Sequence, residues 1–277
     1  MRKTLTLLLM IMVTSAMAQE KKVTKLNVKG YRVALAPDGS GVVYTSPGLI
    51  GLKHFDFSSK KETVLSKARG AGYQPSFYEG EVVFKERTNK TVLKRASLTS
   101  NASKTISTTG VSPKKWAKTQ VMSNKRVSKK EVSYASTSET LNDFVVAYSD
   151  GSEKRIAPFG DQEDYIWVSL SPDKTKVLFK LVGVSAYVCD LKGKILHDLG
   201  DLENPKWVTN DKIVYMITEE DHDSFTKSDI YTISIAQKER KNLTKGMKQI
   251  ALYPDMVGDQ VVFNTPEGDI YLMEVSQ

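Results

Sequence analysis

The side chains best suited to chemistry are three histidines, and their spacing matches no catalytic motif. His54, His197 and His222 lie far apart in the sequence, without the spacing of metal ligands. The sequence contains no H-E-x-x-H, no G-x-S-x-G and no phosphate loop. A Ser-His-Asp set could assemble only in three dimensions, and no local pattern favours one. We therefore expect no catalytic residues and no cofactor.

The densest acidic stretch, TEEDHDSFTKSD, runs from Thr218 to Asp229. Its candidate calcium ligands are Glu219, Asp221 and Asp223, and the two aspartates alternate as carboxylates do in calcium loops. Such a loop also needs a glycine at its sharp turn, and this stretch has none. We interpret it as a solvated loop, with a bound calcium ion as the weaker alternative.

Two Pro-Asp pairs precede apolar runs, in LAPDGSGVVY and LSPDKTKVLF, and raise the question whether Asp38 and Asp173 are ligands. An aspartate that starts a turn accepts a hydrogen bond from its own backbone two residues on. We favour this structural role for both. The only cysteine, Cys189, lies in the apolar segment SAYVCDL and is interpreted as a small buried hydrophobic residue.

A repeat supplies the elements that must position these residues. A β-branched residue followed two positions later by an aromatic residue occurs six times, starting at Val42, Val82, Val132, Val177, Ile213 and Val261. Residues two apart share one face of a strand, so each dyad is expected to be buried together. Two further strands follow each of the first five dyads across polar turns, and one follows the last dyad. An approach strand precedes it, often beginning at a proline, at Pro75, Pro113, Pro205 and Pro254.

Four short antiparallel strands repeated at spacings of 36 to 50 residues are typical of β-propeller blades. The predicted fold is therefore all-β: one six-bladed β-propeller of four-stranded antiparallel blades over residues 19–277. The last copy of the repeat lacks its outer strand, whereas the segment KKVTKLNVKG near the N-terminus has no blade of its own. We expect Val23–Val28 to pair as the fourth strand of the last blade, closing the ring and removing exposed sheet edges.

The copies resemble the TolB-type, or WD40-like, β-propeller repeat, often written P-x-W-S-P-D-G-x-x-I-x-F. LSPDKTKVLF and LAPDGSGVVY match it best, with Leu170 and Leu35 at the tryptophan position, and PKWVTNDKIVY keeps the proline and Trp207. The resemblance implies a propeller that binds proteins or peptides. Some relatives are lyases that hold a metal with several histidines, and others carry a hydrolase domain. The motif is specific for fold and weak for function.

The first residues, MRKTLTLLLMIMVTSAMAQE, have the organisation of a secretory signal peptide. Arg2 and Lys3 precede a short apolar core, and Ala16 and Ala18 occupy the positions that a signal peptidase reads. The apolar core is too short for a membrane span, which needs about 20 residues. We predict a signal peptide over residues 1–18, cleavage after Ala18, a periplasmic or secreted location and no membrane span.

Charge divides the chain into two halves. Residues 21–138 hold 23 lysines and arginines against 7 aspartates and glutamates, whereas residues 139–277 hold 15 against 24. Patches of one sign steer the approach of partners. The longest basic run, KKWAKTQVMSNKRVSKKE, supplies candidate partner-binding residues, namely Lys114, Lys115, Lys118, Lys125, Arg126, Lys129 and Lys130. A surface that only confers solubility is the alternative.

The expected partner is a protein or peptide of the cell envelope, or an anionic envelope polymer, because export makes nucleic acid a poor fit. One face of the ring and the mouth of its channel would bind it. Trp116, Trp167 and Trp207, in or near inner strands, complete the candidate set, with blade packing as their alternative role. Two other classes stay open: a propeller lyase or hydrolase acting on sugar or peptide, and a self-associating structural component of the envelope.

Overall fold

The computed structural model describes residues 22–72, 75–78, 80–87, 91–98, 103–107, 131–138 and 140–275. The predicted signal peptide and the basic run from Lys114 to Lys130, with Trp116, lie outside these residues. Within the described ranges the chain forms β-strands and a single 3₁₀ turn at Pro47–Leu49. In this part of the chain no helix is long and apolar enough to cross a membrane.

The strands form six antiparallel sheets, and each sheet is one blade. In chain order the strands are β1 (Lys22–Lys29); β2 (Tyr31–Leu35), β3 (Gly41–Ser46), β4 (Ile50–Asp56) and β5 (Glu62–Arg69) in blade 1; β6 (Ser76–Tyr78), β7 (Glu81–Arg87), β8 (Thr91–Ser97) and β9 (Ser103–Ser107) in blade 2; β10 (Val132–Thr137), β11 (Phe144–Tyr148) and β12 (Glu153–Ile156) in blade 3; β13 (Tyr165–Leu170), β14 (Lys176–Leu181), β15 (Ala186–Asp190) and β16 (Ile195–Gly200) in blade 4; β17 (Glu203–Trp207), β18 (Lys212–Asp221), β19 (Ser224–Ser234) and β20 (Arg240–Asn242) in blade 5; and β21 (Leu252–Val257), β22 (Gln260–Asn264) and β23 (Asp269–Glu274) in blade 6. The predicted six-bladed propeller is confirmed, and blade 3 shows three strands among the described residues.

The repeated dyads occupy the second strand of every blade that is described with four strands, and in blade 3 the dyad lies on β10, the first described strand. They are buried as predicted, except that Val132 is only half-buried. In three blades the aromatic residue of the dyad meets a tyrosine directly opposite on the third strand. Their ring centroids lie 5.3 to 5.7 Å apart, in the pairs Phe179–Tyr187, Tyr215–Tyr231 and Phe263–Tyr271. Cross-strand aromatic pairs of this kind stabilise a sheet, so the dyad explains why each blade forms.

Apolar side chains also fill the space between neighbouring blades. Between the last and the first blade, Leu26, Val33, Leu35, Val262 and Ile270 form one buried cluster. Four further clusters join blades 1 and 2, 3 and 4, 4 and 5, and 5 and 6. At these five junctions the buried core is shared by two neighbouring blades, so each cluster holds two blades together.

The N-terminal strand β1 is the fourth strand of the last blade, where it pairs antiparallel with β23. The pairing of Val23–Val28 with the last strand, which the sequence predicts, is therefore present. Lysines of β1 face acids of β23: the Lys22 ammonium lies 3.1 Å from Glu274, and those of Lys25 and Lys29 lie 2.6 and 3.2 Å from Asp269. Exposed ion pairs contribute only about 0.2–1 kcal/mol each, but together they favour this register over a slipped one.

The approach strands do not begin at their prolines in two blades, so that prediction was wrong there. Pro205 and Pro254 lie inside β17 and β21, each at a β-bulge where the register shifts. A proline is tolerated at a bulge because its missing N–H leaves no ladder hydrogen bond unmade. Pro75 directly precedes β6, as expected, and Pro113 lies outside the described residues.

Deleting residues 19–29 from the mature protein is expected to lower the melting temperature of the whole domain. The deletion removes the ladder with β23 and the buried Leu26 side chain, and it exposes the edge of β23. Thermal unfolding followed by circular dichroism measures the change. As a control, Lys22→Gln removes only one exposed ion pair and should change stability by less than about 1 kcal/mol. A deletion that keeps the parent melting temperature would contradict the assigned role of β1.

Candidate functional site

The ring has two faces that differ in their connections. Strands alternate in direction within each blade, so the turns between second and third strands emerge on the same face as the links between blades. We call this the upper face. The turns between first and second strands, and between third and fourth strands, emerge on the opposite, lower face. The first strand of each blade is innermost, and the inner strands of neighbouring blades contact one another around the channel.

The two Pro-Asp aspartates hold turns on the lower face. Asp38 accepts hydrogen bonds from the amide and the hydroxyl of Ser40, at 3.0 and 2.7 Å. Asp173 accepts hydrogen bonds from the Ser171 hydroxyl and from the amide and hydroxyl of Thr175, and these hydrogen bonds lower its pKa to about 2. Both carboxylates therefore serve the turn, as the repeat predicts.

Four inner strands share an unusual backbone conformation near the upper face. In β2, β13, β17 and β21 the register shifts at a bulge that contains a non-glycine residue with positive φ. These residues are Arg32 (φ 53°), Trp167 (φ 53°), Asn204 (φ 49°) and Tyr253 (φ 54°). For a residue with a Cβ this conformation costs about 1–2 kcal/mol, which glycine would avoid. Strained backbone kept at equivalent places in four blades marks this ring of side chains as a candidate site.

At two junctions, the residue that follows the dyad supports the bulge of the next blade. The Asn264 side-chain oxygen accepts a hydrogen bond from the Arg32 amide at 3.1 Å, and the Met216 sulfur accepts one from the Tyr253 amide at 3.2 Å. Both supporting side chains are buried, and each lies on the second strand of the preceding blade. The bulged backbone is therefore fixed by a neighbouring blade and does not depend on local sequence preference.

Lys180 occupies the same position after its dyad and organises a charged cluster beneath Trp167. Its side chain is almost completely buried, and its ammonium lies 2.8 Å from Asp201 and 2.5 Å from Glu203. Burial lowers the pKa of Lys180, but the hydrogen bonds to both carboxylates outweigh burial and raise it overall. The charged ammonium lies 5.6 Å from the centroid of the Trp167 ring, a cation–π contact that holds the indole in place.

Arg32 and Tyr253 bring the first and last blades together at the channel mouth. The guanidinium carbon of Arg32 lies 3.8 Å from the centroid of the Tyr253 ring. Lower on the same inner strands, Asp255 accepts a hydrogen bond from the Leu35 amide at 2.9 Å and lies 3.4 Å from the Lys206 ammonium. Polar contacts thus connect the inner strands of blades 5, 6 and 1 around the channel.

The two described tryptophans of the candidate set lie in inner strands, as the sequence predicts, but in different surroundings. The Trp207 indole N–H donates to the Ser169 carbonyl of blade 4 at 3.3 Å, and its ring packs into the cluster between blades 4 and 5. This geometry is that of blade packing. Trp167 lies in a bulge near the upper face, where its half-buried ring is available to a ligand.

Exposed apolar side chains concentrate on the upper face. Eight large hydrophobic side chains among the described residues are exposed, and six of them belong to upper-face connections or the strand ends beside them, namely Ile50, Leu141, Phe159, Val182, Val184 and Ile217. Val182 and Val184 are the most exposed, at 51% and 46%. Backbone hydrogen bonds from Tyr165 to Leu141 and from Val182 to Asp164 place the turns of blades 3 and 4 side by side. We call Leu141, Val182 and Val184 the apolar rim.

The acidic stretch forms a hairpin that extends the upper face of blade 5. Glu219 binds the Lys227 ammonium at 2.7 Å, and Asp221 lies 2.6 Å from the His222 ring nitrogen, at the tip beside Asp223. These contacts separate the three candidate calcium ligands. Within the described ranges, no group of three or more histidine, cysteine, aspartate or glutamate side chains converges on one point.

The histidines and the cysteine occupy separate places. His54, His197 and His222 lie in blades 1, 4 and 5, and burial lowers the pKa of His54 and of His197. Cys189 is completely buried between blades 3 and 4, and burial raises the pKa of its thiol to about 12. A thiol with that pKa is not a nucleophile at neutral pH.

Sequence reasoning named Trp167 as a candidate but missed its bulged conformation, the other three bulged residues and the side chains that support the bulges. For Asn204 and Tyr253, the proline that follows each of them is a signal, whereas Arg32 and Trp167 have none. The supporting side chains could have been found from the sequence by aligning the residue that follows each dyad. In the six repeats this residue is Thr45, Lys85, Ala135, Lys180, Met216 and Asn264.

Comparison with known proteins places the fold. No family model matches the sequence, and no curated protein is similar to it. A structural genomics protein of unknown function from Bacteroides thetaiotaomicron is 10% identical with a TM-score of 0.54, over 93% of this chain and 76% of that chain. A luciferin-regenerating enzyme is 11% identical with a TM-score of 0.51, over 92% and 95% of the two chains. A putative TolB from Agrobacterium tumefaciens is 10% identical with a TM-score of 0.49, over 92% and 97%.

The chain is a six-bladed β-propeller, the fold expected from its resemblance to TolB-type and WD40-like repeats. Identities of 10–11% show a shared fold and nothing about function.

The bulge conformation predicts an unusual order of stability at Asn204. Asn204→Gly should be more stable than Asn204→Ala by about 1 kcal/mol, because the penalty for a Cβ at positive φ exceeds the entropic cost of glycine. Urea unfolding measures the difference. At Lys206, two residues further along the same strand and outside the positive-φ set, the order should reverse. If Asn204→Ala is as stable as Asn204→Gly, or more stable, the strained bulge is contradicted.

Proposed function

We propose that this protein is an exported, non-catalytic binding module that engages a protein or peptide of the cell envelope through its upper face. The observation that carries the proposal is the concentration of exposed apolar side chains on that face, around a ring of bulged residues. Exposed apolar patches framed by polar residues mark interaction sites in soluble proteins. The predicted signal peptide supports export, and with it a periplasmic or secreted location.

The channel mouth adds directional contacts to the apolar rim. Arg32, Trp167 and Tyr253 are large side chains on rigid strands, and arginine, tryptophan and tyrosine are the residue types enriched in binding hot spots. They lose little side-chain freedom on binding, because cation–π contacts already hold Arg32 and Trp167. A site of this composition suits a peptide or a protein loop.

The basic run from Lys114 to Lys130 is a second candidate contact between the protein and its partner. If it meets the partner or an anionic envelope polymer, affinity falls steeply as salt rises, since salt screens exposed charges beyond about 10 Å at 0.1 M. Binding that depends on the apolar rim alone would change little with salt. A salt series on the captured complex therefore separates the two contacts.

Catalysis on sugar or peptide, which the sequence leaves open, is the competing proposal, and the fold is compatible with an enzyme because a luciferin-regenerating enzyme shares it. A substrate screen with measurable turnover would favour it. Self-association is the other alternative, and light scattering at low and high salt detects it. Against self-association, three lysines of the basic half already face acids of the last strand within the chain.

Crosslinking in the native envelope, followed by mass spectrometry, tests the proposed face. We expect the double variant Val182→Glu with Val184→Glu to lose the partner that the parent protein captures, because two charges disrupt an apolar contact. The control is Leu196→Glu, at a 41% exposed residue on the outer strand β16, away from the upper face. It should retain the partner. Equal recovery by all three proteins would refute upper-face binding.

A further inference from the structure

We propose that the Arg32–Tyr253 pair at the channel mouth is a preformed site for a peptide carboxylate. The inference deepens the proposed function, since it names the chemistry by which a peptide partner would be recognised there. It starts from the position of Arg32, where the fold keeps a strained backbone conformation. An arginine stands where glycine would be unstrained, and its charged group is held in one place.

Two contacts and a bulged backbone immobilise Arg32. Its backbone is bulged at φ 53°, and its amide donates to the completely buried Asn264 side chain. Its guanidinium lies on the Tyr253 ring, and Tyr253 is bulged in turn, with its amide bound to the Met216 sulfur. The guanidinium is therefore held between two residues with fixed backbones, Arg32 in blade 1 and Tyr253 in blade 6. A binding group held this way loses little freedom when a ligand arrives.

The guanidinium is left without an acid of its own. Among the described residues, no aspartate or glutamate forms an ion pair with Arg32, although its side chain is exposed. The neighbouring cations are used differently: Lys180 binds Asp201 and Glu203, and Lys206 binds Asp255. The Tyr253 ring covers one face of the guanidinium and leaves its edge uncovered. The N–H donors lie along that edge. That edge is the part that binds a carboxylate through two parallel hydrogen bonds.

The surroundings favour a carboxylate over a phosphate. The inner strand next to Arg32 carries an acid, Asp255 on β21, and its charge repels a dianion more strongly than a monoanion. Of the described cations discussed for this part of the ring, Lys180 and Lys206 are paired with acids and Arg32 is not, and a single cation suits a monoanion. The apolar rim on the same upper face suits the remainder of a peptide and offers nothing to a small inorganic anion.

Nuclear magnetic resonance on the mature protein tests the site directly, with the Nε–Hε signal of Arg32 as the readout. Three capped tripeptides are titrated: acetyl-Ala-Glu-Ala-amide, acetyl-Ala-Ala-Ala with a free carboxyl group, and acetyl-Ala-Gln-Ala-amide. We expect the signal to shift with at least one of the two carboxylate peptides and to stay unchanged with the glutamine peptide. Which peptide is active tells whether the site takes a side-chain or a C-terminal carboxylate.

Two variants separate recognition from folding. Arg32→Gly removes the guanidinium at a position that favours glycine, so it should fold as the parent does and lose all peptide-dependent shifts elsewhere at the channel mouth. Arg32→Lys keeps the charge without the planar fork, and we expect affinity to fall about tenfold or more.

Several results would overturn the carboxylate site. They are the absence of a shift with both carboxylate peptides, an equal shift with the glutamine peptide, undiminished binding by Arg32→Gly, and tighter binding of inorganic phosphate than of either peptide. The outcome does not depend on capture from the envelope. If the parent captures a partner through the apolar rim while the peptides fail, the carboxylate inference alone is wrong. If the peptides bind while the rim variant keeps its partner, partner binding through the apolar rim alone is wrong.

Discussion

The pairing of β1 with β23 is the contact on which the other features of this propeller depend. It places the two ends of the chain in one sheet, so that the first blade meets the last across a shared apolar cluster. The Arg32–Tyr253 contact spans that same junction, because one residue belongs to blade 1 and the other to blade 6. The proposed site therefore exists only while the N-terminal strand holds these two blades in register.

Charge has a structural role at this junction as well as the steering role that composition suggests. The excess of lysine near the N-terminus and the excess of acids near the C-terminus meet at Lys22, Lys25 and Lys29. Part of the division of charge along the sequence is thereby used within the chain. The charge left for partners is smaller than the sequence count indicates.

The repeats predicted the fold well because a dyad on a strand must bury both of its side chains, and six dyads therefore demand six similar sheets. The Pro-Asp turns followed from the same comparison. The bulged residues did not, since neither Arg32 nor Trp167 has a preference for positive φ; the conformation is imposed by supports such as Asn264 on the preceding blade. The apolar rim was also missed, because its residues lie in turns that share no motif and become neighbours only through ring geometry.

Native-state hydrogen exchange tests the central claim that β1 is an integral part of the ring. The β1 amides that bond to β23 should exchange with the same free energy of opening as the amides of β16. The reference strand β16 is the outer strand of blade 4, and the chain continues from both of its ends. Equal values would mean that β1 leaves only when the domain unfolds. If the β1 amides exchange through a much less costly opening while β16 stays protected, the N-terminal strand is an appendage, and the account of the ring and its channel mouth is wrong.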